Sequence, residues 1–157
     1  MKENEKYLRE AIQLSRTHMQ KGAGGPFGAI IVKDGEIIGR GWNQVISTND
    51  PTAHAEVTAI RDACKRLNNF SLAGSTIYTS CEPCPMCLAS IYWARLDKVV
   101  YANTRHDAAE IQFSDELIYQ EIARGINERA IPMVQMLRDE ALLVFKEWEA
   151  KVDKIRY

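Results

Sequence analysis

Three of the four cysteines fall in one short segment, "TSCEPCPMCLAS", at positions 81, 84 and 87, and a histidine and a glutamate stand close together upstream in "DPTAHAEVTAI". A chain that brings these side chains to one point has few ways to fold. Cys84 and Cys87 are three apart and share a face if they lie on a helix. Pro83 suits the start of that helix. Exposed N–H groups and the dipole at a helix N-terminus favour the thiolate. Two thiolates side by side need a cation, and zinc is the usual one. A C-x-x-C pair is also a common redox pair, so the cysteines by themselves leave both readings open.

His54 weighs towards metal. It stands two residues before Glu56, near the start of its own helix. Residues two apart do not share a helical face, but at a helix end both can reach an object lying over the terminus. His54, Cys84 and Cys87 give three protein ligands and leave a fourth position open, the pattern of a catalytic zinc site. Glu56 would lean over the same centre without binding it. Cys81 as a fourth ligand would close the site into a structural one. It falls at the end of a strand, off the helical face of the other two, and that reading leaves Glu56 without a role. Cys64 reads as a small apolar residue on the second helix. His18 reads as a helix residue, and His106 as a surface residue in a loop after a strand, with a site role open.

The rest of the pattern frames these segments. Tyr7, Leu8, Ala11, Ile12, Ser15 and Met19 line one face of an opening helix that Gly22 stops. Two apolar runs flank Asp34-Gly35, a strong hairpin signal. Asp50 can cap a second helix, with Pro51 near its first position, running to about Leu67. "STIYTS" and "KVVYAN" read as short buried strands on either side of the cysteine helix. "SDELIYQEIARG" reads as a helix capped by Ser114 and stopped by Gly125. "IPMVQMLR" reads as a last strand and "EALLVFKEWEAKVDKIRY" as a last helix. An opening hairpin followed by alternating strands and helices predicts an α/β chain with a mixed sheet covered on both faces. Periodicity leaves the strand order open.

The 157 residues fit one domain. No apolar run approaches the roughly 20 residues of a membrane span, and "MKENEKYLRE" lacks the apolar core of a signal peptide. These features predict a cytoplasmic protein, where clustered cysteines point to metal or redox chemistry rather than disulfides. The formal net charge of −1 argues against a polynucleotide partner, which calls for a basic surface.

"HAE" at 54–56 and "PCPMC" at 83–87 match the H-x-E, P-C-x-x-C signature of zinc-dependent nucleobase deaminases, and the sequence resembles the cytidine-deaminase-like superfamily. Within it, "NDPTAHAEVTAIR", "YTSCEPCPMCLASIYWAR" and "DAAEIQFSDELIYQEI" look like the bacterial guanine deaminases. The likeness runs from "GGPFGAIIVKDG" to the terminal Tyr157. It implies a three-layer α/β/α fold around a central mixed five-stranded sheet, one deaminase domain over residues 1–157, and one zinc per chain on His54, Cys84 and Cys87. The implied reaction is hydrolysis of guanine to xanthine and ammonia, with Glu56 accepting and then donating the proton and Asp115 catalytic beside it.

The resemblance also assigns the purine edge to Asn43 and Asp115. An amide offers a donor and an acceptor, and a carboxylate accepts from ring N–H groups. Read from the residues alone, Asn43 is as readily a turn residue and Asp115 a first-turn acid favoured by the helix dipole. Phe27 and Trp93 are stacking surfaces or ordinary core. The peptide N–H of Ala55, near a free helix N-terminus, can meet the base. In the proteins the chain resembles, the tail crosses to a partner subunit. A homodimer is therefore implied, with the segment from about 139 to 157 exchanged and Tyr157 over the neighbouring site; a solvated helix end is the alternative. Two other readings stay open. One is a deaminase of cytosine, an aminotriazine or tRNA adenosine, which the zinc motif does not separate from guanine. The other is a non-catalytic zinc module, which Glu56 opposes.

Overall fold

The computed structural model describes residues 2–157, so the first position of the expected 1–157 domain lies outside the described residues. The chain divides into two units, one running to Asp115 and one spanning Glu116–Tyr157. The first holds α1 (Lys2–Gln20), β1 (Gly28–Lys33), β2 (Glu36–Trp42), α2 (Val45–Thr48), α3 (Ala55–Leu67), β3 (Ser75–Cys81), α4 (Pro85–Trp93), β4 (Lys98–Asn103) and α5 (Arg105–Glu110). The second holds α6 (Glu116–Ala123), a 3-10 turn at Ile126–Glu128 and α7 (Arg138–Ala150). No described helix is long and apolar enough to cross a membrane.

The hairpin forms as expected. Asp34 and Gly35 take φ of 50° and 81°, the mirror-image turn whose twist matches the flanking strands. The Tyr7 hydroxyl on α1 donates to the Gly35 carbonyl at 2.6 Å and ties the turn down. The sheet order is β2-β1-β3-β4, with the first two pairings antiparallel and the last parallel. The sheet is thus mixed, but among the described residues it has four strands rather than five. The segment 131–138 is apolar enough to read as a strand, yet a strand exists only through its ladder, and this segment has no ladder partner among the described residues. Ile131 and Val134 are 79% and 80% exposed. β4, expected to be buried, is an edge strand with a single neighbour and is mostly exposed.

Alternation along the strands sorts the core of the first unit into two faces. Ile30, Val32 and Tyr78 pack with Tyr7 of α1. Ala29, Ile31 and Ile77 pack on the other side with Ala55, Ala59 and Ala63 of α3 and with Ile91 and Ala94 at the end of α4. Helices therefore cover both faces, as three layers require.

The placement of α3 decides where the functional side chains fall. A Cβ on Gly41 would lie 2.2 Å from the Ala55 carbonyl oxygen and 2.3 Å from the Ala59 nitrogen, and one on Gly39 would lie 2.6 Å from the Ala59 carbonyl oxygen. The two glycines of β2 thus face the small side chains of α3 almost backbone to backbone. α3 starts later than the sequence suggests. Asp50 Oδ1 accepts from the Thr52 N–H and hydroxyl, at 2.8 and 2.6 Å, so it closes an Asx turn instead of capping the helix. His54 takes the cap position. In α4, Pro85 rather than Pro83 occupies the first turn, and Cys84 is the cap residue. His106, expected in a loop, lies in α5, which Thr104 and Asp107 cap reciprocally. The helix expected from a Ser114 cap begins at Glu116, and the last helix ends at Ala150 rather than Tyr157.

Gly41→Ala should push α3 off β2 and destabilise the fold by about 1–3 kcal/mol or more. The measurement is the thermal midpoint; an unchanged midpoint would show that the seam between β2 and α3 has slack.

Candidate metal centre

Two helix starts meet. His54 precedes the first turn of α3 and Cys84 precedes that of α4, both with extended backbone, and neither side chain caps its own helix. Each side chain is therefore free to point at the other. His54 Nδ1 lies 3.6 Å from Cys84 Sγ and 3.5 Å from Cys87 Sγ. The ligand atoms of the three all lie within 4.8 Å of one another, and Cys87 is buried. In a tetrahedral zinc site with bonds of about 2.3 Å to sulfur and 2.0 Å to nitrogen, the nitrogen-to-sulfur edge is about 3.5 Å. The observed separations match that edge. Soft thiolates with an imidazole also suit zinc chemically, and two thiolates would neutralise a dication.

The three groups share protons tightly. The Cys84 thiol is pulled down to about 4, chiefly by its hydrogen bond with Cys87 and further by His54, against its burial. The Cys87 thiol is pushed up, first by donating to Cys84 and then by burial. His54 is pushed up by its hydrogen bond with Cys84. Cys81 stands apart. It is buried at the end of β3, its Sγ faces the Thr104 carbonyl at 3.5 Å, and burial lifts its thiol to about 11. It is a neutral thiol and not part of the three-donor group.

Glu56, in the first turn of α3, is 5% exposed. Burial pushes its carboxyl up, opposed by hydrogen bonds from its own backbone N–H, from Thr79 and from Cys87. The Thr79 hydroxyl donates to Oε1 at 2.9 Å. Ala55, between His54 and Glu56, is fully buried and is the first residue of α3, so its N–H points out of the helix end.

The remaining candidates take separate places. Asn43 is buried, and its Oδ1 accepts from the N–H groups of Gly25 and Val45, both at 3.2 Å. That fixes the orientation of the amide, because only the oxygen can accept from two N–H groups. Phe27 packs against the α3 side of the core and meets Phe113 edge to face, with centroids 5.1 Å apart. Asp115 Oδ1 faces Arg105 Nε at 3.8 Å. Burial pushes the Asp115 carboxyl up, Arg105 pulls against it, and the negative charge of Cys84 adds to the rise. Trp93 is not core: it is 68% exposed on the last turn of α4, in a shallow pocket with Ala89, Tyr92 and Arg95. The cysteines are at the opposite end of that helix. Tyr157 is exposed in the second unit. His18 stacks on Trp42 with centroids 3.6 Å apart and serves packing. Thr79 and Arg105 escaped the sequence reading. A polar residue inside the buried strand "STIYTS" was the available signal for the first; nothing marked the second.

A histidine and a C-x-x-C pair at two helix starts, with a buried glutamate beside the histidine, is the arrangement of the zinc-binding deaminases. Residues 1–103 match the cytidine and deoxycytidylate deaminase zinc-binding region, and the chain belongs to that family. It is similar to guanine deaminase of Bacillus subtilis (strain 168), with 51% identity over 154 residues, 98% of this chain and 99% of that one. The X-ray structure of the guanine deaminase from Bacillus subtilis superimposes with a TM-score of 0.95 at 52% identity, covering 98% of each chain. The tRNA-specific adenosine deaminase of Aquifex aeolicus (strain VF5) is 44% identical over 98 residues, 62% of this chain and 64% of that one.

Cys84→Ala and Cys87→Ala should each weaken zinc binding by more than the about 10–100-fold that loss of an outer partner costs. Cys81→Ala should keep its zinc. Metal analysis of the purified variants decides the matter, and loss of zinc from the Cys81 variant would restore the closed structural site.

Proposed function

We propose that this chain is a zinc-dependent guanine deaminase that hydrolyses guanine to xanthine and ammonia. The observation that carries the reading is Glu56, a buried carboxylate beside a three-donor group that needs no fourth protein ligand. A purely structural site has no use for it. The likeness to guanine deaminase extends over both units, whereas the likeness to the tRNA enzyme stops short of that.

His54, Cys84 and Cys87 would hold the zinc. The metal, when bound, supplies the Lewis acidity that makes water reactive near neutral pH. Glu56 takes a proton from the attacking water as its oxygen adds to C2 of the base. It returns that proton to the neighbouring ring nitrogen and carries the next one to the departing ammonia. One carboxylate suffices, because burial lifts it towards the range where it both accepts and donates.

Substrate is read by groups of fixed polarity. With its oxygen engaged by Gly25 and Val45, Asn43 offers the base only its N–H donors. Asp115 offers acceptors to ring N–H groups, as a contact and a second proton carrier, and Arg105 steadies it. The Ala55 N–H adds a donor at the head of α3, and Phe27 a ring to stack on. Trp93 as a stacking surface would need a partner or a movement to bring it to the base. The location implied is the cytoplasm, where thiol ligands stay reduced.

We tie the reading to one experiment: ammonia release from a panel of guanine, cytosine, adenine and tRNA, with wild type and Glu56→Gln. Guanine should be turned over far faster than the rest, since a site built around hydrogen bonds penalises analogues that leave its groups unpaired. Glu56→Gln should keep its zinc and lose about 10²–10⁴ in rate or more. Faster release from cytosine than from guanine refutes the substrate, and a Glu56→Gln chain within tenfold of wild type refutes the proton carrier.

We also propose that the chain acts as a single deaminase domain in a homodimer, with the segment from about 139 to 157 exchanged and Tyr157 closing the neighbouring site. The support is the apolar surface of the second unit. Leu143, Val144, Phe145 and Trp148 are 56%, 61%, 71% and 45% exposed, more than a monomer usually leaves on one helix. A chain lacking its last few residues should lose kcat/KM for guanine and keep zinc and fold. Mixed with Glu56→Gln chains it should regain activity, because the mixed dimer joins an intact Glu56 site to a full-length tail. Full activity of the truncated chain alone would show that Tyr157 is only a chain end.

A further inference from the structure

Thr79 sits in the middle of β3 and is 1% exposed. It pairs with Ala29 on one side and Tyr101 on the other. Alternation puts it on the face of Ile77, the face that α3 and α4 cover. Nothing about packing calls for a hydroxyl here. Valine has the same branched shape and strand preference, and a buried hydroxyl without a partner costs about 1–3 kcal/mol by mutational measures. A buried hydroxyl is not by itself a sign of function in this strand, since Ser75 Oγ on the same face has no hydrogen-bond partner among the described residues. What distinguishes Thr79 is the group it meets: its Oγ1 donates to Glu56 Oε1 at 2.9 Å, inside the core.

Glu56 has three side-chain torsions to fix, and a proton carrier works only from one orientation. Its carboxylate takes a side-chain hydrogen bond from Thr79, and the Cys87 thiol lies near enough to act on it as well. A cysteine that serves as a thiolate ligand has no proton to donate, so in the metal-loaded protein Thr79 is the side-chain donor that remains. With Oε1 engaged by Thr79, the carboxylate is turned in one direction and keeps acceptor capacity to take and give the proton.

We propose that Thr79 is a positioning residue for Glu56, its hydroxyl holding the carboxylate in the orientation from which proton transfer occurs. The proposal rests on the reading of Glu56 as the proton carrier. It adds a determinant outside the H-x-E and P-C-x-x-C segments.

The test compares Thr79→Val, which keeps shape and loses the hydroxyl, with Thr79→Ser, which keeps the hydroxyl and loses a methyl. Both are assayed as zinc-loaded protein with guanine, beside Glu56→Gln. Thr79→Val should lower kcat by about 10–100-fold, the range typical of partners that orient a site's inner groups, with KM and zinc content little changed. Thr79→Ser should recover most of that loss even though it leaves a small void. A merely structural threonine would give the reverse order, the serine variant being the worse because valine fills the strand better. Wild-type kcat in Thr79→Val, with Glu56→Gln inactive, overturns the positioning role and leaves Glu56 standing. Equal loss in the valine and serine variants overturns it as well. An active Glu56→Gln enzyme removes the proton-carrier reading itself.

Discussion

An imidazole nitrogen stands 3.5 and 3.6 Å from two sulfurs because two helices begin at the same place. The sheet order and the seating of α3 set up that meeting. β1 and β3 lie side by side at the middle of the sheet, so the segment after β3 and the helix resting on β1 and β2 reach one another. Gly39 and Gly41 then let α3 settle onto β2 without intervening side chains. The same close approach keeps Glu56, in the first turn of α3, buried rather than beside solvent. A larger residue at either glycine would shift the helix and, with it, both the nitrogen ligand and the carboxylate.

Burial pushes both Cys84 and Glu56 towards their neutral forms, but hydrogen bonds outweigh it at Cys84 and not at Glu56, and that suits them to different duties. Cys84 is held ionised by hydrogen bonds from its neighbours, whereas Glu56 is pushed towards its neutral form by the core around it. One anion is suited to holding a cation and the other acid to exchanging a proton. Cys81, a few residues from Cys84 in sequence, is buried with only a weak contact to a carbonyl and stays a thiol. Three cysteines in one segment thus have three environments, set by whether each lies on a strand, at a helix cap or inside the first turn.

The donor group was legible in the sequence because its spacing carries chemistry: histidine, acid and a C-x-x-C pair have few other uses in combination. The hairpin was legible because Asp34-Gly35 is a local signal that needs no tertiary help. The boundaries were less so. Asp50 and Pro51 are good helix-start residues, but the same acid makes an Asx turn with Thr52, and local sequence does not rank the two. Pro83 and Pro85 compete for one position in the same way. The segment 131–138 shows the limit of reading apolar runs as strands, since a run's composition says nothing of what pairs with its edges. Trp93 was ambiguous between core and stacking surface, and the fold excludes the core: its large ring is exposed on the last turn of α4. Thr79 stood out only as a polar residue in a buried strand, because the group it meets is 23 positions away in the chain.

His54 and Cys84 are 30 positions apart. An unfolded chain can therefore offer a metal the C-x-x-C pair, but it must close a loop of that length to add the imidazole, at an entropic cost that folding removes. A zinc held by these groups would couple to the fold through this gap: it would prefer the native chain, and by mass action free zinc above its dissociation constant would add to native stability. Chelation draws on the same balance, so a reagent that strips the site would lower the temperature at which the chain unfolds as well as its activity. The spacing that spreads the three donors over two helix starts would make a bound metal a reporter of the whole first unit.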